Sequence, residues 1–241
     1  QQGKKVLLIE KNKRLGKKLD ITGGGRCNIL NAETDVRRLL SHYGDVGEAL
    51  YSPFSQFGVN ETTNFFKKLG IENAIEKNKR AFPKSQKATD VTAALVKALR
   101  ENGVTVRNNE TVSEINATRN KITQIKTDKG QYSANSVIVS TGGYSHPETG
   151  STGDGFKWLS ALGVPVQNAT PNIVPIKTKD VWVHDLAGVS VEDIKITFFV
   201  NGEKRTAKKG RLLFTHFGLS GPLILNSAKE IKDLLEEGEV T

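Results

Sequence analysis

Apolar and polar positions fall in blocks along the chain, and the blocks predict a mixed α/β protein. Lys4-Lys5-Val6-Leu7-Leu8-Ile9-Glu10 is a short unbroken apolar run closed by an acid, the pattern of a buried parallel strand. Glu33 to His42 has helical composition, and Ala49 to Phe57 is apolar and aromatic-rich, either helical or irregular. Asn60 is placed to cap a helix from Glu61 to Leu69, with Gly70 at the stop position. Ile71 to Ile75 and Arg80 to Phe82 read as a hairpin around Lys77-Asn78-Lys79. The clearest helix is Ala88 to Asn102, where Val91, Ala94, Leu95, Ala98 and Leu99 share one face and Gly103 follows. Val104 to Val106 then continues as a strand, which suits a right-handed crossover back to a parallel sheet.

Alternation resumes in Thr111 to Thr118, Lys121 to Thr127 and Gln131 to Ala134, around turns at Arg119-Asn120 and Asp128-Lys129-Gly130. This predicts a small antiparallel meander. Val137-Ile138-Val139 reads as another buried strand, and Phe156 to Leu162 as a short helix stopped at Gly163. Pro165, Pro171 and Pro175 mark a shift in composition, so two domains are expected, residues 1–165 and 166–241. In the second, Val189 to Val200 and Glu203 to Ala207 flank Asn201-Gly202, a strong hairpin turn, and Arg211 to Thr215 is a further strand. Ser220 is placed to cap a helix with Pro222 in its first turn and Leu223, Ser227, Ile231 and Leu234 along it.

With 241 residues, 37% of them hydrophobic and 25% charged, the chain can bury a real core in one large or two moderate domains. No apolar run reaches the ~20 residues of a membrane span, which argues against a membrane partner. The single cysteine, Cys27, excludes an internal disulfide and fits a reducing cytoplasm. A net charge of +9 raises the question of nucleic acid. The lysines are scattered, dense only in Lys11 to Lys18 and Lys204 to Arg211, and this argues against nucleic acid as the primary ligand.

The segment most suggestive of chemistry is Asp20-Ile21-Thr22-Gly23-Gly24-Gly25-Arg26-Cys27-Asn28. Three glycines let a ligand approach main-chain N–H groups, and Arg26 can fork donors onto an anionic oxygen; a flexible turn is the plain alternative. Glu10 ends a strand, where dinucleotide folds hold a ribose and where an acid can also simply meet solvent; Lys17 and Lys18 precede the glycines, either as surface residues or where positive charge favours a pyrophosphate, and of the two Lys18 is the better placed. Cys27 has no second cysteine to pair with and reads as a small residue of a tight loop. Asn28 and Asn31 can cap local backbone, and Asp154 can cap the helix that follows it or meet a ligand hydroxyl. His42, His146, His184 and His216 show no metal-ligand spacing; His146 is the one that could face a substrate.

Val6 to Asn31, reading VLLIEKNKRLGKKLDITGGGRCNILN, resembles the opening of the HI0933-like bacterial flavoproteins, the BaiN/RdsA group of NAD(P)/FAD-dependent oxidoreductases. Three further blocks are similar to that family in the same order: AFPKSQKATD from Ala81 to Asp90, STGGYSHPETGSTGDG from Ser140 to Gly155, and LFTHFGLSGP from Leu213 to Pro222. The resemblance implies a partial Rossmann-like FAD-binding domain carrying the antiparallel meander, plus an inserted, mainly-β, barrel-like domain. The chain opens past the family's GxGxxG unit and stops before its later flavin contact, so it reads as a fragment. FAD is the implied cofactor, with NAD(P)H as a second candidate nucleotide and a small molecule as substrate; the family is linked with oxidation of amines and reduction of steroid-like enones. The implied cofactor-binding positions are Glu10, Lys11, Lys18, Thr22, Gly23, Gly24, Gly25, Arg26, Cys27, Asn28, Val112, Thr141, Gly142 and Gly143.

Overall fold

The computed structural model describes residues 3–119, 121–167, 169–170 and 172–241. Asn120 of the Arg119-Asn120 turn and Pro171 lie outside the described residues. The chain forms two compact units, residues 1–166 and 167–241. No helix among the described residues is long and apolar enough to cross a membrane.

The first unit runs β1 (Leu7–Glu10), β2 (Leu30–Asn31), α1 (Val36–Leu40), α2 (Gly47–Gln56), α3 (Val59–Lys68), β3 (Asn73–Ile75), β4 (Arg80–Pro83), α4 (Ala88–Glu101), β5 (Thr105–Asn108), β6 (Val112–Thr118), β7 (Lys121–Thr127), β8 (Gln131–Tyr132) and α5 (Asp154–Ala161). β1 and β5 pair in parallel from Leu7↔Thr105 to Glu10↔Asn108, with α4 before β5 in the crossover. Val91 and Ala88 of α4 are fully buried with Cys27, and Leu19, Ile29, Phe66, Ile71 and Leu95 pack around them. β2, β4 and β3 form one small antiparallel sheet, and β6, β7 and β8 form the meander, closed by the buried pair Ile115↔Ile125.

Three local expectations are corrected. Val137 to Val139 is not a strand: no described strand pairs with it, and Ile138 is 90% exposed. The cap of α3 is Gly58 rather than Asn60, because Glu61 Oε2 reaches back to accept the Gly58 N–H at 3.0 Å and starts the helix earlier. The first helix shrinks to α1, capped by Asp35 Oδ1, which accepts from Arg37 N at 2.9 Å and Arg38 N at 3.2 Å.

The second unit runs β9 (Ile176–Lys177), α6 (Trp182–Asp185), β10 (Ser190–Val200), β11 (Glu203–Thr215), β12 (Gly218–Ser220) and α7 (Pro222–Glu237). Its sheet is antiparallel, in the order β10-β11-β12-β9. Asn201 and Gly202, with φ of 51° and 84°, make the β10–β11 turn. Arg211 to Thr215 is the end of β11 and not a separate strand, because the ladder to β10 continues past Gly210. Ser220 belongs to β12 and Gly221 takes the cap position of α7, with Pro222 opening the helix. Leu223, Ser227, Ile231 and Leu234 form its buried face, where Ile231 and Leu234 cluster with Phe198 and Val200.

Candidate functional site

Parallel pairing puts Glu10 at the carboxyl end of β1, opposite Asn108, and the two chains stay together beyond it. Glu110 N donates to Glu10 O at 3.1 Å and Asn109 N to Asn12 O at 3.0 Å. Glu10 Oε1 accepts from Asn12 N (2.8 Å) and Asn12 Nδ2 (2.7 Å), which fixes the carboxylate at the strand end. Its Oε2 has no partner among the described residues.

The same Asn12 amide donates to Thr149 O at 3.0 Å and so ties β1 to the Ser140–Gly155 segment. The approach requires a glycine: a Cβ on Gly150, whose φ is 104°, would stand 2.6 Å from Asn12 Nδ2. Lys11 Nζ donates to Thr152 Oγ1 at 2.6 Å and Asp154 Oδ2 at 2.7 Å, while Lys17 and Lys18 reach the carbonyls of Glu148 and Ser145. Lys18 is in no ion pair among the described residues. Thr141 Oγ1 accepts from Gly155 N at 3.1 Å, Gly142 passes Ser151 closely, and Gly143 O accepts from Gly153 N at 3.2 Å. The fold thus gathers Glu10, Lys11, Lys18 and Thr141 to Gly143, positions far apart in sequence.

Asp154 does not cap α5. Gly153 holds that position, and the Asp154 carboxylate turns to Lys11, whose hydrogen bond holds it below the usual carboxylate range against the opposing effect of burial. Tyr144 lies over Gly153 and stacks on Phe156, centroids 5.4 Å apart. His146 Nδ1 is 2.8 Å from Glu148 Oε1 in an exposed pair. Val112 opens β6 opposite Thr127, two residues after Glu110. Glu110 is 2% exposed and accepts from Tyr132 Oη and Thr127 Oγ1, both at 2.7 Å; these bonds hold its carboxyl below the usual range. Asn12 and Glu110 escaped the sequence reading, although Glu10-x-Asn12 has the two-residue spacing of a side-chain-capped turn.

The glycine segment is a kinked 3₁₀ turn, Leu19–Gly24, in which Thr22 O accepts from Gly25 N (3.1 Å) and Cys27 N (3.0 Å). Gly23, Gly24 and Gly25 all have left-handed φ, at 57°, 68° and 83°. A Cβ at Gly23 would meet Asn28 N at 2.8 Å and Phe82 Cε1 at 3.0 Å, whereas one at Gly24 would meet nothing within 4 Å. The space beside Gly24 is therefore open, whereas the Gly25 N–H and C=O are already bonded to Thr22 and Ala88. Arg26 lies 4.0 Å over the Phe82 ring, and its Nη1 donates to the Glu76 carboxylate (3.0 and 3.3 Å) and to Gln86 Oε1 (3.1 Å). Cys27 is 2% exposed, and burial pushes its thiol above the usual value. With its side-chain amide flipped, so that nitrogen takes the place of oxygen, Asn28 would donate to Ala81 O and Leu30 O, each at 3.3 Å.

Set against known proteins, the chain matches the family described as the HI0933-like protein Rossmann domain over residues 1–212. It is 27% identical over 234 residues to the 3-dehydro-bile acid delta(4,6)-reductase of Clostridium scindens, covering 97% of this chain and 56% of that protein. It is 28% identical over 228 residues to the ribosomal RNA dihydrouridine synthase of Escherichia coli, covering 93% of this chain and 54% of that protein. The chain thus spans about half the length of the curated relatives it matches. Among solved structures it aligns with NikD, an unusual amino acid oxidase, at 16% identity over 83% of this chain and 53% of that one, with a TM-score of 0.34. The family match runs from ahead of β1 into β11, so the chain belongs to the HI0933-like family through its Rossmann domain.

Proposed function

We propose that this protein holds FAD and serves as an oxidoreductase that saturates a carbon–carbon double bond conjugated to a carbonyl in a small molecule. The observation that carries the reading is Glu10. It sits at the carboxyl end of a parallel strand, oriented by Asn12, with Oε2 open to ribose hydroxyls. Other residues fit a dinucleotide as well. Lys18 brings an ammonium that no carboxylate compensates among the described residues, and the open space beside Gly24 leaves room for an anionic group. Lys11 and Arg26 are already neutralised by Asp154 and Glu76, so they shape the site and add little net charge to it. Bound FAD would supply the hydride chemistry, with NAD(P)H as the electron donor. The two relatives' names, a delta(4,6)-reductase and a dihydrouridine synthase, share the saturation of a ring double bond.

Anaerobic stopped-flow mixing of FAD-loaded protein with NADPH or NADH, then with a conjugated cyclic enone, tests the reading. Bleaching of the flavin by a nicotinamide and its return with the enone are expected; a flavin that neither donor reduces would overturn the assignment.

Charge favours a second reading, in which the unsaturated ring is a base in RNA. Residues 167–241 contain ten basic and ten acidic side chains, so the whole excess of +9 belongs to the first unit. Retention on RNA that falls steeply with salt would select this reading over a free small molecule.

A further inference from the structure

Arg26 is the cation a reader of the sequence would aim at a cofactor phosphate, and the structure gives it other work. Its Nη1 is held by both oxygens of Glu76 and by Gln86 Oε1, its plane rests on Phe82, and its Nε points to Gly23 O at 3.4 Å. The Phe82 ring under the guanidinium also stands 3.0 Å from where a Gly23 Cβ would lie, beside Asn28 N at 2.8 Å, so ring and backbone together close that side of Gly23. One residue further on, Gly25 O accepts from Ala88 N at 2.8 Å. The glycine turn is therefore gripped at Gly23 and at Gly25 by the hairpin and by the start of α4. Nη1, Nε and the ring face of the guanidinium are thus engaged within the fold, and among the described residues only Nη2 lacks a hydrogen bond.

We infer that Arg26 is a positioning residue: through Glu76, Gln86 and Phe82 it sets the left-handed path of Gly23 to Gly25, and the main chain of that turn, not the guanidinium, meets the anionic ligand. This rests on the flavin reading for the identity of the ligand, but not for the grip itself. It also accounts for why the Asp20–Asn28 and Ala81–Asp90 blocks occur together, since Phe82, Gln86 and Ala88 of the second each touch the first.

The test compares R26A, R26K and the double variant E76A/Q86A, which keeps Arg26 and frees it. Amide hydrogen exchange at Gly23 to Asn28 is read without flavin, and FAD affinity is read by fluorescence titration. All three variants are expected to speed exchange in that segment and to weaken FAD by about tenfold, the scale of one lost charge-assisted hydrogen bond. Affinity kept or tightened in E76A/Q86A while R26A weakens it, or R26K matching the unaltered protein, would show Arg26 on the ligand itself and overturn the inference. Unchanged exchange in R26A would overturn it too. Should the unaltered protein bind no FAD, the flavin reading fails alone and the exchange data still decide the grip.

Discussion

Gly23 and Gly24 share a left-handed backbone, but only Gly23 faces a wall. Alanine at Gly24 should cost only the backbone strain, about 1–2 kcal/mol. Alanine at Gly23 adds overlap with Asn28 N and Phe82, for a further ~1–3 kcal/mol. Urea unfolding of the two variants measures the difference, and equal losses would mean that Phe82 does not press on the turn. Glu110 gives a prediction in pH. Its hydrogen bonds from Tyr132 and Thr127 depress its folded pKa, so it stabilises the fold at neutral pH, and this contribution is lost as pH falls through that lowered value. The stability gap between the unaltered protein and E110Q should therefore close on acidification below about pH 4, the ordinary glutamate range. A gap independent of pH would assign Glu110 a purely steric role. Glu10 and the three glycines were legible in the sequence because their signals are local. Asn12 to Thr149 and Arg26 to Glu76 were not, since they join residues 137 and 50 positions apart and no periodicity encodes them.

Among elements, those with strong periodicity were read correctly from sequence. α7 buries the face its apolar spacing marks, α4 turns its marked face inward with Val91 fully buried and the rest half-buried, and the β10–β11 turn follows from Asn201-Gly202. The failures have physical causes. Val137 to Val139 has a strand's composition, but a strand needs a neighbour to bond, and none is present among the described residues. The caps of α3, α5 and α7 each fall on a glycine, where a nearby polar residue had been expected to cap. For α7, the buried contact of Ile231 and Leu234 with Phe198 and Val200 is what holds the helix to the sheet. Ile231→Ala should cost ~2–5 kcal/mol, the usual loss for a buried isoleucine truncated to alanine. Thermal unfolding followed by circular dichroism measures it, and a loss below about 1 kcal/mol would place the core of this unit elsewhere.

For the whole molecule, what matters is that the fold gathers separate sequence blocks into one place. The end of β1, the Lys11–Lys18 loop and the Ser145–Asp154 segment are joined by Asn12, Lys11, Lys17 and Lys18, and Gly150 permits the approach. Family membership accounts for the order of those blocks, and the geometry accounts for why each is needed. Equilibrium titration with FAD, followed by flavin fluorescence in the unaltered protein and in E10A, tests the central claim most directly. The account predicts saturable binding of one flavin, weakened about tenfold or more when the ribose acceptor is removed. Protein that takes up no flavin, or an E10A variant that binds it with unchanged affinity, would contradict it.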